Sequence, residues 1–96
     1  MPTYLVEAYM PHSHGREARA AVHRARTAAE ALSREGEAIR YVRTTFLPDD
    51  ETCFHLFEAA SVEVVEKASS RAALGRARVV PAVEEDGEPG MPGGRE

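Results

Sequence analysis

Residues 38–58 read Ala38-Ile39-Arg40-Tyr41-Val42-Arg43-Thr44-Thr45-Phe46-Leu47-Pro48-Asp49-Asp50-Glu51-Thr52-Cys53-Phe54-His55-Leu56-Phe57-Glu58. The first part, 38–46, is dense in β-branched and aromatic side chains (Ile39, Tyr41, Val42, Thr44, Thr45, Phe46), which suit a pleated surface better than a helix. Leu47-Pro48-Asp49-Asp50 then places proline at the second position of a four-residue turn, where its fixed φ is already correct for type I or II. Residues 52–58 return as a second strand. The stretch is therefore an antiparallel hairpin, and the rest of the chain is arranged around it.

On the N-terminal side, residues 3–9 alternate Tyr4, Val6 and Ala8 with Leu5, Glu7 and Tyr9, the period of two expected for a strand. Pro11 and Gly15 break that pattern. Over 16–35 the apolar residues Ala18, Val22, Ala25, Ala29 and Leu32 recur at intervals of three and four, which predicts an amphipathic helix ended by Gly36 in a left-handed cap. On the C-terminal side, Ser61 can cap a second helix, with Glu63 near its positive end. Val62, Val65, Ala68 or Ser69 and Ala72 form that helix's buried stripe, and Leu74-Gly75 closes it. Residues 77–83 supply a last short strand, and Pro81, lacking an N–H, places it at an edge. The order βαββαβ, with two right-handed crossovers sharing one hairpin, predicts an α+β, ferredoxin-like sandwich of strand order 4-1-3-2 with both helices on one face.

The 96 residues suffice for one small domain, expected over 1–83. A 43% hydrophobic and 29% charged composition belongs to a soluble globular chain, and no apolar run nears the roughly 20 residues that span a bilayer. Residues 1–7 lack the basic-then-apolar pattern of a signal peptide, so a cytoplasmic location is expected. Acids and bases cancel over 1–83. The formal charge of −4 therefore lies in residues 84–96, a Gly- and Pro-rich acidic tail expected to be disordered. Without a basic stripe, nucleic acid is not an expected partner. Cys53, the single cysteine, excludes an internal disulfide and any Cys-x-x-Cys motif.

Phase along each strand assigns the two faces of the sheet. Tyr4, Val6, Ala8, Val42, Phe46, Phe54 and Leu56 are expected under the helices. Leu5, Glu7, Tyr9, Tyr41, Arg43, Cys53, His55 and Phe57 are expected on the other side, a surface too apolar to be left in water, so a homodimer is expected to cover it. On that side Glu7, Arg43 and His55 could form a charge-assisted network around a small ligand, or a salt bridge that sets the dimer's register. Cys53 and His55 share that face, where thiolate and imidazole could converge; the plain alternative is a small buried hydrophobe beside an interface histidine.

Tyr4-Leu5-Val6-Glu7-Ala8-Tyr9, the segment Pro48-Asp49-Asp50-Glu51-Thr52-Cys53-Phe54-His55-Leu56-Phe57-Glu58-Ala59 and the following Ser61-x-Glu63-x-Val65 together resemble a bacterial domain-of-unknown-function family. Some of its members are nickel-binding, nickel-responsive proteins. The resemblance spans about residues 3–83 and implies a ferredoxin-like homodimer of the dimeric α+β barrel type. It also implies a site for nickel or another divalent transition metal. His12 and His14 lie near the family's first histidine position, after the first strand, and His23-Arg24 matches its second. Ser69 and Leu74 stand where the family places two histidines in the second helix. On its own chemistry, His12-x-His14 can offer two imidazoles to one ion, or be two solvated loop histidines.

Two other readings accompany the metal site. One is an enzyme or ligand carrier using space between sheet and helices, an analogy of fold only. The other is an accessory subunit tethered by its acidic tail. No phosphate loop, serine–histidine–acid order, His-Glu-x-x-His or EF-hand pattern is present, so no catalytic residues are assigned.

Overall fold

In the computed structural model, which describes residues 1–11, 15–85 and 87, the six elements follow in the expected order. They are β1 (Thr3–Tyr9), α1 (Gly15–Arg34), β2 (Ile39–Leu47), β3 (Thr52–Ala59), α2 (Val62–Arg71) and β4 (Ala77–Ala82). All strand pairs are antiparallel, and the sheet order is β2-β3-β1-β4. The protein is thus α+β, with a strand order compatible with the ferredoxin-like arrangement. No helix among the described residues is long and apolar enough to cross a membrane.

Local chemistry accounts for the boundaries. Asp50 N–H donates to Leu47 O at 3.2 Å across the Pro48 turn, and Glu51 takes a left-handed φ of 52° before β3 starts. Gly36, at φ 100°, is the left-handed residue after α1, where glycine carries no Cβ penalty. Ser61 is extended and its hydroxyl accepts from Val64 N–H, capping α2. The second helix ends at Arg71, before the expected Leu74-Gly75, because Ala73 already adopts a φ of 53°.

The helices meet one face of the sheet in a single cluster. It joins Val6, Ala8, Phe57 and Ala59 of the strands to Ala21, Ala25, Ala28, Ala29 and Leu32 of α1 and to Val64, Val65 and Ala68 of α2. The buried stripe of α1 is nearly all alanine. Small side chains let its backbone approach the sheet, and the volume is filled from below by Phe57, fully buried and edge-on to Tyr41 at 5.7 Å.

The faces of β3 are the reverse of the expectation. Tyr4, Val6 and Ala8 face the helices as expected, but across the β1–β3 ladder they stand opposite Phe57, His55 and Cys53. Directly opposed residues share a face. Cys53, His55 and Phe57 therefore lie under the helices, while Phe54 and Leu56 join Leu5 on the open side. In β2 a bulge between Tyr41 and Arg43 changes the phase, so Tyr41, Thr44 and Phe46 share the helix-side row while Arg43 and Thr45 lie on the open side. Both alternations of β3 are apolar, so its own pattern could not choose between them. Of the tail, Val83 is 83% exposed and Glu84, Glu85 and Gly87 are exposed; residues 86 and 88–96 of the expected disordered segment lie outside the described residues.

Candidate functional site

The helix-covered face contains a polar line that its surroundings do not explain. Tyr41 OH and Thr44 Oγ1 are 2.7 Å apart, and Thr44 Oγ1 is 2.7 Å from His55 Nδ1. Thr44 stands directly opposite His55 across the β2–β3 ladder, so pairing register brings them together. Among the described residues, His55 is the fully buried polar residue of the core, and its Nε2 has no hydrogen-bond partner. Either proton order along Tyr41–Thr44–His55 leaves that nitrogen unsatisfied. A buried orphan of this kind carries a desolvation cost, so it calls for a physical reason.

Electrostatics keep His55 neutral. Burial, and next the positive charge of Arg24, push its pKa down to about 4. Arg24 reaches over from α1 and donates through Nε to Ala72 O at 2.8 Å, holding the C-terminal end of α2. Two residues before His55, Cys53 is fully buried on the same face, and burial raises the pKa of its thiol. Its Sγ lies 3.7 Å from Sδ of Met10.

An open groove of about 350 Å³ runs beside this corner, between the segment after β1, the first half of α1 and the α2–β4 connection. Met10, Glu17, Arg24 and Leu74 are among the residues lining it. The space between helices and sheet is itself filled by Phe57, Leu32, His55, Val6 and Val65.

The expected Glu7, Arg43 and His55 network is not brought together. Glu7 and Arg43 lie on the open face, where Glu7 accepts from Arg78 Nε at 2.9 Å and Arg43 pairs with Glu84, while His55 lies through the sheet on the other side. The reason is the reversed phase of β3. Of the expected metal ligands, His23 is exposed on α1, and His12 and His14 lie outside the described residues. The α-helical rise puts His23 about 12 Å along the axis from Gly15, the first residue of α1. Among the described residues, no group of three or more His, Cys, Asp or Glu side chains could hold a metal ion.

Sequence reasoning found Cys53 and His55 but not their setting, and it missed Met10, Thr44 and Arg24 as their neighbours. The signal for Met10 was available, because Val6, Ala8 and Met10 continue one alternation. The signal for Thr44 was hidden by the bulge.

The open face is built differently. Leu5, Phe54 and Leu56 form its centre, with Arg43, Thr45, Leu47 and Glu84 around a depression of about 460 Å³. Leu56 is only 4% exposed, whereas Leu47 is 38% exposed. The Glu7–Arg78 pair lies towards β4 and the Arg43–Glu84 pair towards β2. No protein-family model, curated protein or solved structure matches the chain.

Proposed function

We propose that the protein is a homodimer of the dimeric α+β barrel type, two sheets packed open face to open face, that binds a divalent transition metal such as nickel through histidines. The observation that carries the dimer is the half-buried apolar pair Leu5 and Phe54, beside the covered Leu56, on a sheet whose other face is already filled by its own helices. Apolar surface of this kind gains free energy by leaving water, and a second copy offers the same patch. The flanks carry both signs, Glu7 with Arg78 and Glu84 with Arg43. A two-fold axis can thus set an acid of one copy against an arginine of the other.

The metal part rests on the sequence: two imidazoles in His12-x-His14 just ahead of α1, and His23 exposed on that helix. Sedimentation over a concentration series tests the assembly. Wild type should sediment as a dimer and Phe54→Glu as a folded monomer; a wild-type monomer at high concentration would sink the dimer. Calorimetric titration with nickel tests the metal, with uptake expected in wild type and lost in His12→Ala/His14→Ala. Heat and stoichiometry unchanged by that double substitution would remove the histidines from the reading.

A further inference from the structure

The corner formed by Met10, Cys53 and His55 contains donors that the dimer and the histidine loop leave unused. Met10 is fixed at the end of β1 by its N–H, which donates to Glu51 O at 2.7 Å. It follows Ala8 by two residues, and Ala8 stands opposite Cys53. The two sulfurs are 3.7 Å apart. With metal–sulfur bonds of about 2.3 Å, that separation subtends about 107° at a shared ion, close to tetrahedral. His55 lies on the same face, two residues along β3. Its Nδ1 is engaged by Thr44 of β2, and its Nε2 is buried and unpartnered among the described residues. Arg24, whose charge acts on His55, and Met10, which touches Cys53, line the same groove. The groove thus reaches the Met10 end of the sulfur pair.

We propose that Met10 Sδ, Cys53 Sγ and His55 Nε2 form a binding site for a soft monovalent metal ion of the Cu(I) class, entered from the groove that Met10 and Arg24 line. Thioether and thiolate ligands select soft ions, and imidazole suits copper as well. Charge selects further. Binding replaces the thiol proton by the ion, Cys–SH plus Cu⁺ giving Cys–S–Cu plus a proton released to solvent, with no change of oxidation state. The resulting unit of one thiolate and one monovalent cation is neutral, with a neutral imidazole and thioether beside it. A divalent ion in the same place would leave a net positive charge in an apolar interior near Arg24, an expensive arrangement. The site differs from the proposed histidine-loop site in residues, ion charge and donor softness.

Anaerobic titration of the full chain with Cu(I), in competition with a chromogenic Cu(I) chelator, tests the proposal. One equivalent per protomer is expected, with a near-ultraviolet thiolate-to-copper absorption band. Loss of an outer-shell partner of a metal commonly costs 10–100-fold in affinity, so losing the thiolate itself should cost at least about 100-fold in Cys53→Ser. Met10→Leu preserves volume and fold, and should weaken binding by about 10-fold while retaining the band. His12→Ala/His14→Ala should leave both readouts unchanged, which separates this site from the histidine-loop site. No uptake by wild type against the chelator would overturn the proposal. So would uptake that survives in a folded Cys53→Ser protein, or that disappears in the histidine double variant.

Discussion

The two faces of the one sheet solve burial in opposite ways. Under the helices, Phe57 and Val6 are fully enclosed by the chain's own alanine-rich α1 and by α2, and a histidine and a cysteine are enclosed with them. On the other side, Leu5 and Phe54 are half-buried and Leu56 is nearly covered, although no helix of the described residues lies above them. The covered face draws its stability from intramolecular packing and carries the cost of buried polar atoms. The open face holds apolar area not yet fully withdrawn from water, with ion pairs at its margins. Covering by helices, not hydrophobicity alone, thus decides which strand residues join the cluster around Phe57.

Truncation should separate the faces most strongly. Phe57→Ala empties a fully enclosed position and is expected to cost about 3–5 kcal/mol in urea unfolding. Phe54→Ala should cost the folded protomer much less while weakening self-association. Equal losses at the two positions would contradict the contrast. Acid should single out the covered face next. His55 titrates at about 4 in the folded chain against 6.5 as its ordinary value. Between those values the unfolded chain binds more protons, so stability rises with pH across that window and is lost as pH falls from about 6.5 towards 4. The full loss amounts to about 3 kcal/mol. Unfolding free energies measured from pH 7 to pH 4 should show this limb in wild type and a flatter one in His55→Gln.

Ser61→Ala removes the cap that starts α2, a helix belonging to the covered face. Its expected cost is about 1 kcal/mol, read as a lower denaturation midpoint with unchanged slope. The smallest effect belongs to the open face. Arg78 is largely exposed in its pair with Glu7, so Arg78→Gln should hardly move the midpoint, and the residual difference should vanish in high salt. A larger, salt-resistant effect would mean that this pair is covered in solution.

Much of the architecture was legible before any coordinates. The Pro48 turn, the Ser61 cap and Gly36 are local devices whose chemistry acts within a few residues, and each stands where it was expected. The element order and the strand order followed from them. The candidate site was legible only in its members. Cys53 and His55 were placed together, but on the wrong face, because the row Cys53, His55, Phe57 and Ala59 is about as apolar as the row Thr52, Phe54, Leu56 and Glu58. The Glu7–Arg43–His55 grouping failed with that choice. Tyr41 moved for a separate reason, the bulge after it, which breaks the count of alternation that assigns faces.

Six elements, their order, their caps and the position of the turn follow from the order of amino acids, since each depends on contacts a few residues apart. Which row of β3 the helices cover emerges only on packing, and with it the placement of the His55 imidazole under the helices and of Leu56 on the open face. That choice is cooperative. It depends on β1 fixing the phase of β3 through the ladder, and on where α1 comes to rest, and neither is encoded in the alternation of one strand alone.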